Sequence, residues 1–205
     1  MTPDSSDLRN KIAKEAANLL YLRLEKEYKQ AKLKAAHNFG ARVLPSNLEV
    51  ALELDKIAEE NEGSARNERL IQMRIEALKI MKILKAYCPV LIGSVWRGTI
   101  RLGSDVDITL YSDDSDEIVA CLKVNEIKIS KTERMTLAKH KKIETSFHIH
   151  VETSNNLNVE ISVRNPEEKG RKRLCETFGD KIKGLKIQEL EKLLKSNPTR
   201  RFIPS

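Results

Sequence analysis

The spacing of apolar residues changes near residue 86, and this change constrains the fold more than any other feature of the chain. Up to that point apolar residues recur every three or four positions, which is typical of amphipathic helices. Beyond it, a short apolar run at 90–92 and alternating residues at 106–111 predict strands. Helices followed by a mixture of strands and helices predict an α+β fold.

Three helices are predicted in the first part of the chain, at 6–36, 47–62 and 65–86. Ser46 and Glu49 form a capping-box signature at the start of the second helix, and Gly63 breaks the chain before the third. Further along, the predicted elements are strands at 90–92, 106–111, 127–132, 146–152 and 157–163, and helices at 115–124, 167–178 and 187–194.

The chain has 205 residues and a formal charge of +7, and most of the excess charge lies near its ends. Residues 1–36 hold eight basic and five acidic side chains, residues 37–165 hold 18 and 19, and residues 166–205 hold 11 and six. A further basic stretch lies at 123–142. Such stretches attract polyanions, although a solvated protein face has the same composition.

Several classes of protein are excluded by composition. No apolar run approaches the ~20 residues that a membrane span needs, and the N-terminus has no signal-peptide pattern. The three cysteines, Cys88, Cys121 and Cys175, are far apart, so neither a disulfide framework nor a CxxC zinc pattern is present. We therefore expect a cytoplasmic protein without a membrane partner.

The stretch from Gly93 to Ile108 carries the chemistry. A buried strand ends at Gly93-Ser94, where glycine allows close approach to the backbone and a following helical turn offers amides and a hydroxyl to a phosphate. About ten residues later a strand begins with Asp105 and Asp107, which point to one face because they are two residues apart. Two adjacent carboxylates repel one another unless a divalent cation lies between them. A phosphate-binding turn with paired carboxylates suits Mg²⁺-dependent phosphoryl transfer.

This segment resembles the signature of the DNA polymerase beta-type nucleotidyltransferase superfamily, and its Arg97-Gly98-Thr99 and Gly103-Ser104 pairs make it most similar to archaeal CCA-adding enzymes. The resemblance covers roughly residues 75–165. It implies a nucleotidyltransferase palm, a small mixed sheet with helices on one side. The predicted organisation is then a helical N-terminal region at 1–63, the palm at 64–165, and a basic, partly helical C-terminal extension at 166–205.

In that family a third acid lies on a later strand between apolar residues. Glu160, in Val159-Glu160-Ile161, fits this pattern, and we favour it over Glu152, which has an apolar neighbour on one side only. A solvent-facing acid on an edge strand is the structural alternative for Glu160. Arg134 and His140 match the spacing of certain RNases, but they fall within the predicted palm, and we treat that match as chance.

The resemblance also implies a mechanism. Asp105, Asp107 and Glu160 would hold two Mg²⁺ ions, which Mn²⁺ can replace, and Glu160 could take the proton of the acceptor hydroxyl. Gly93 and Ser94 would bind the β- and γ-phosphates of an NTP substrate. Arg97 either adds charge near the triphosphate or forms a structural salt bridge, and the sequence does not separate the two.

The acceptor is less defined than the reaction. An RNA 3′ end, with tRNA as one candidate, is favoured by the basic ends and the likeness to CCA-adding enzymes, although the chain is too short for their additional tRNA-binding domains. A protein or a small-molecule acceptor stays open, as does a non-catalytic palm that binds nucleotide or nucleic acid. The N-terminal helices could also dock a partner in any of these cases.

For the other candidate residues of this region we favour a structural role. Trp96 is expected to pack between the third helix and the sheet, and Thr99 and Ser104 to brace the turn. His148 and His150 share one strand face and could bind a metal, but no third ligand accompanies them, so we give this interpretation little weight.

Overall fold

The computed structural model of the protein describes residues 5–139 and 142–204, and the side chains of all of these except 5, 137–139 and 142–144. The α+β prediction is confirmed. The α-helices are α1 (Ser5–Tyr21), α2 (Tyr28–Asn38), α3 (Asn47–Ile83), α4 (Gly93–Arg97), α5 (Ser115–Val124) and α6 (Ile187–Ser196), and the strands are β1 (Val90–Ile92), β2 (Val106–Tyr111), β3 (Ile129–Lys139), β4 (Lys142–Glu152) and β5 (Asn158–Arg164).

The predicted helix over 6–36 is wrong, because two helices occupy this region. α1 ends at Tyr21, and the chain then turns through residues 22–27, where Arg23 has a left-handed φ of 57°. α2 folds back on α1, so that the buried alanines Ala31 and Ala35 join one cluster with Ile12 of α1. Both helices direct their apolar residues into this cluster, so the spacing continues across the turn and conceals it.

The two helices predicted on either side of Gly63 follow one another within α3. Gly63 has φ 51° and ψ −137°, and this non-helical residue kinks α3 at the predicted break. The capping box at its start is confirmed. The Glu49 amide donates to Ser46 Oγ at 3.1 Å, and the Ser46 amide donates to Glu49 Oε2 at 2.6 Å.

The five strands form one mixed sheet in the order β1-β2-β5-β4-β3. β2 and β5 are parallel, and every other neighbouring pair is antiparallel. α3, α5 and α6 pack apolar side chains against one face of the sheet. The predicted strand over 127–132 is too short, because β3 pairs with β4 as far as Lys139.

The C-terminal part of the chain packs on the sheet. The predicted helix over 167–178 is wrong: a single 3-10 turn at Pro166–Glu168 is followed by an irregular segment containing Gly170 and Gly179, both with left-handed φ, which a helix does not accommodate. The predicted helix at 187–194 is confirmed as α6, whose Leu190 and Leu193 enter the core beside α3.

The buried apolar residues form two clusters. One lies within residues 8–57 and the other within residues 70–202. The domain boundary near residue 63 stays a prediction. Side chains from both sides of this boundary line one of the cavities described below. Within the described ranges, no helix combines the length and apolar character of a bilayer-crossing segment.

Candidate active site

Asp107 and Glu160 occupy paired positions on the two parallel strands. The register of β2 and β5 sets Asp107 opposite Glu160, and the residues on either side of each acid are buried in the core. Because alternate residues of a strand point to opposite faces, both acids lie on the face of the sheet that turns away from the core.

Gly93, the first residue of α4, contacts the carboxylate of Asp107. The pairing of β1 with β2 sets Ile92 opposite Asp107. A Cβ atom on residue 93 would lie 1.9 Å from Asp107 Oδ2, and Gly93 has a left-handed φ of 69°. Glycine is the residue that meets both conditions without a clash or backbone strain. The Gly-Ser and Asp-x-Asp parts of the sequence motif therefore belong to one site.

The charge of Asp107 is destabilised by its surroundings. Burial, followed by the charges of Glu160 and Asp105, raises the pKa of Asp107 to about 7. Removing a carboxylate from water costs free energy, and nearby like charges increase that cost. The three acids predicted from the sequence are thus close enough to interact electrostatically.

His148 on β4 orients the side chain of Glu160. Its Nδ1 lies 2.5 Å from Glu160 Oε1, and its Nε2 lies 2.7 Å from Ser146 Oγ. His148 and Ser146 are 8% and 7% exposed, so this hydrogen-bonded row is buried. His150 instead contacts Glu133, at 2.9 Å. The two imidazoles considered as a metal pair therefore bind different carboxylates.

Asp105 immediately precedes β2 and is exposed. Together with Glu160, Lys131 and His150 it lines a cavity of about 290 Å³. Glu152, the other candidate for the third acid, is the last residue of β4, and its carboxylate pairs with an exposed lysine at 2.9 Å. The sheet register therefore brings Glu160, and not Glu152, next to Asp107.

A second cavity, of about 270 Å³, is lined by Gly93 and Ser94. Its other walls include distant parts of the chain: Lys26 in the turn before α2, Tyr28 at the start of α2, and Phe178 in the C-terminal segment. None of these three residues stands out in the sequence as part of the site. Their signal is weak, because a lysine and two aromatic residues in helical or irregular segments occur on many protein surfaces.

The turn between α4 and β2 forms another wall of this cavity. The Thr99 amide donates to the Ser94 carbonyl at 3.0 Å, and the Arg101 amide donates to Ser104 Oγ at 2.9 Å, so Ser104 braces the turn as predicted. Arg101 lines the cavity, and burial lowers the pKa of its guanidinium, which the nearby charge of Arg23 lowers further. Arg101 was also missed by the sequence analysis.

Arg97 lines the cavity wall, but its guanidinium is paired within the protein. Nη2 donates to Asp180 Oδ1 at 2.6 Å, and Nη1 donates to the Phe202 carbonyl at 3.0 Å. The same group lies over the rings of Trp96 and Phe178, at 4.5 and 4.3 Å from their centroids. This geometry matches the structural salt bridge that was the alternative interpretation of Arg97.

Arg74 on α3 holds α4 from behind. Its guanidinium is fully buried and donates to the carbonyls of Val95 at 3.1 Å, Trp96 at 2.9 Å, Pro198 at 2.6 Å and Arg200 at 2.9 Å. Burial lowers its pKa to about 10, which keeps it charged at neutral pH. A signal was present in the sequence, since Arg74 interrupts the apolar stripe of its helix.

The remaining sequence interpretations have mixed outcomes. Trp96 is buried in the main core, as predicted, and faces the ring of Phe202 with centroids 6.4 Å apart. The match between Arg134 and His140 cannot be followed, because His140 lies outside the described residues.

The chemistry of the three acids fits a magnesium site. Carboxylate oxygens are the ligands that Mg²⁺ prefers. Burial first, and then the charges of Glu160 and Asp105, raise the pKa of Asp107, and a divalent cation would offset the cost of its charge. Among the described side chains, no three His, Cys, Asp or Glu residues are already grouped as a metal-binding set.

Comparisons with known proteins give a partial likeness. No family model and no curated protein matches the chain. Among solved structures, a cytoplasmic RNA terminal U-transferase is 18% identical and has a TM-score of 0.33, over 54% of this chain and 34% of its own. The Cid1 poly(U) polymerase bound to MgGTP is 20% identical with a TM-score of 0.33, over 55% of this chain and 38% of its own. The matched part thus spans little more than a third of the length of these proteins.

Proposed function

We propose that the protein is a Mg²⁺-dependent nucleotidyltransferase that transfers a nucleoside monophosphate from an NTP to a hydroxyl, with an RNA 3′ end as acceptor. The observation that carries the proposal is the position of the Asp107 carboxylate, against Gly93 and in register with Glu160. This contact joins an acidic pair to a glycine-containing turn that lines a cavity. Phosphoryl transfer needs these two features side by side.

The NTP is proposed to occupy the cavity beside Gly93 and Ser94. Lys26 and Arg101 line it and can neutralise phosphate oxygens, and Tyr28 offers a ring to the base. Ser94 can donate its hydroxyl to a phosphate. Arg97 acts as a positioning residue in this proposal, because its charge is already paired and its stacked guanidinium fixes the wall of the cavity.

Asp105, Asp107 and Glu160 are the residues that would hold Mg²⁺, or Mn²⁺ in its place. When bound, the metal would stabilise the negative charge of the reacting phosphates and lower the pKa of the acceptor hydroxyl. Glu160 can accept the proton of that hydroxyl, since its carboxylate lines the cavity of about 290 Å³ and His148 fixes its direction.

The acceptor is proposed to enter that same cavity, on the side of the acids where Lys131 and His150 lie. A cationic and an imidazole group can contact the phosphate and sugar of an RNA end. A protein or small-molecule hydroxyl is the alternative acceptor, and a palm that binds nucleotide without catalysis is the second candidate function. Retention of all three acids disfavours the latter, because a non-catalytic palm has no need of Asp107, whose charge is costly to bury.

One incubation tests the proposal. The protein is mixed with each labelled NTP, with Mg²⁺ or Mn²⁺, and with tRNA, single-stranded RNA, DNA or no added acceptor. We expect label on RNA from the wild type, none from Asp105→Ala or Asp107→Ala, and normal transfer from Asp113→Ala, which changes an exposed acid outside the site. Thermal melts check that the variants fold. Full transfer by both site variants would overturn the assignment, and label on the protein alone would identify the other acceptor class.

A further inference from the structure

A large basic cavity lies at the end of β2 that is farther from the acids. It has a volume of about 780 Å³ and is walled by residues 85, 88–90, 111, 169–173, 181–183 and 186–188. Eight of the lining residues are Lys or Arg and none is acidic. The lysines are Lys85, Lys169, Lys172, Lys181, Lys183 and Lys186.

These six lysines combine two properties, since they line one cavity and they have no carboxylate partner in the described part of the chain. Elsewhere, lysines such as Lys82 and Lys128 are neutralised by a glutamate at 2.6 and 2.9 Å. None of the six forms an ion pair with another residue in the described ranges. Positive charges in a concave surface repel one another and create a positive potential. An anionic ligand bound there reduces this repulsion.

The wall that carries several of the lysines is fixed to the sheet. Leu185 and Leu91 exchange two backbone hydrogen bonds of 2.9 Å, which add the 181–186 segment to the edge of β1. Gly184 is packed so closely that a Cβ there would lie 2.3 Å from Val90 Cγ1. The cavity is therefore a preformed surface and not a loose basic tail.

The cavity and the acids share one face of the sheet. Tyr111, which lines the cavity, and Asp107 are four residues apart on β2, so their side chains point to the same face. Four residues of strand span about 13 Å. Successive nucleotides of a stacked strand rise about 3.4 Å along the strand axis, so about four nucleotides bridge this distance.

We infer that this cavity binds the phosphodiester backbone of single-stranded RNA, at nucleotides about four or more positions upstream of a 3′ end held at the acids. The position of the 3′ end rests on the proposed function, whereas the binding itself does not. An acidic peptide carries a comparable charge density, but the shared face with the acids favours the nucleic acid. The lysines neutralise backbone phosphates, and these contacts contribute affinity that does not depend on the base sequence.

The test is RNA binding by a neutralised cavity. Lys172→Gln, Lys183→Gln and Lys186→Gln are combined in one variant, since all three are exposed, and a thermal melt checks that the variant folds. The matched control combines Lys14→Gln, Lys29→Gln and Lys123→Gln, three exposed lysines outside the cavity lining, with the same change in net charge. Binding of a labelled single-stranded RNA, long enough to reach from the acids across the cavity, is measured by fluorescence anisotropy at several salt concentrations.

We expect the cavity variant to bind RNA on the order of 100-fold more weakly at low salt, with a slope of log K against log salt that is shallower by about 2. The control should stay within about threefold of the wild type. Equal weakening in both variants, no RNA binding by the wild type, or tighter binding of a polyglutamate peptide than of RNA would each overturn the inference.

The transfer assay separates this inference from the proposed function. Suppose that the wild type shows no transfer activity but binds RNA through the cavity, and that Asp107→Asn binds RNA equally well. This result supports the inference and contradicts the proposed function. Transfer of label to an RNA 3′ end by the wild type, combined with unchanged RNA binding by the cavity variant, supports the proposed function and contradicts the inference.

Discussion

Replacing Asp107 with asparagine should stabilise the metal-free protein at alkaline pH. The amide side chain would keep the shape of the carboxylate and remove a charge that burial, Glu160 and Asp105 all disfavour. The native state holds a proton on Asp107 up to about pH 7, whereas the unfolded chain releases it near the ordinary value of 3.8. The free energy of unfolding of the wild type therefore falls as the pH rises through this window, because the native state binds more protons than the unfolded state.

The magnitude follows from the two pKa values. A separation of about three units corresponds to about 4 kcal/mol above pH 8, of which about 2.5 kcal/mol is lost between pH 5 and pH 8. Asp107→Asn removes this component. The difference in unfolding free energy between variant and wild type should thus grow in favour of the variant by about 2.5 kcal/mol over the same range.

Urea denaturation with EDTA at pH 5 and pH 8 measures both free energies. Added Mg²⁺ should restore part of the loss in the wild type at pH 8, because a ligand that binds only the native state stabilises it, and should leave Asp107→Asn unchanged. Asp113→Asn, at an exposed position, is the control for loss of one charge. If the unfolding free energy of Asp107→Asn changes with pH as much as that of the wild type, the raised pKa of Asp107 is refuted, together with the repulsion on which the proposed metal site depends.

Three further predictions concern single residues. Gly93→Ala should lower transfer by about 100-fold, because the methyl group displaces the Asp107 carboxylate, while Gly40→Ala, at a similar φ in open space, should lower only thermal stability. Glu160→Gln should lower the rate of nucleotide incorporation by about 100-fold or more, and Glu152→Gln should not change it. Arg74→Met should lower the unfolding free energy in urea by more than about 3 kcal/mol, because four buried carbonyls lose their donor.

Each of these has a result that would contradict it. Wild-type transfer by Gly93→Ala would show that the close contact with the acid is not needed. Equal losses in Glu160→Gln and Glu152→Gln would remove the basis for preferring the residue in register. Lys82→Met, on the same helix as Arg74 but exposed, should cost less than about 1 kcal/mol. An equal cost at both positions would refute the role given to the buried guanidinium.

Local signals in the sequence were sufficient for several elements. The Ser46 capping box, the break at Gly63 and the strand containing Asp107 each depend on residues within a few positions of one another, and short-range chemistry determines them. The proximity of Glu160 to Asp107 does not follow from such local signals. It depends on the register between two strands far apart in the chain, which periodicity alone does not determine.

Long-range packing explains the expectations that were wrong. Residues 22–27 turn although the apolar stripe continues, because α2 gains more by packing on α1 than by extending it. Residues 130–136 of β3 are mostly exposed. Their sequence therefore lacks the alternation of apolar and polar residues that predicts a half-buried strand. Arg74 was passed over because its value lies in distant carbonyls, at residues 198 and 200.

The contacts of Arg74 also have a consequence for protein synthesis. Two of its four acceptors lie at residues 198 and 200, and the amide of Phe202 donates to the carbonyl of Arg97 at 2.9 Å. A nascent chain on the ribosome lacks these partners until residues 198–202 have emerged, so α4 and the glycine at its start are anchored after the strands of the sheet have been made. The cavity beside Gly93 therefore reaches its final arrangement only at that point, and a chain truncated before residue 198 would leave the buried guanidinium of Arg74 without two of its four acceptors.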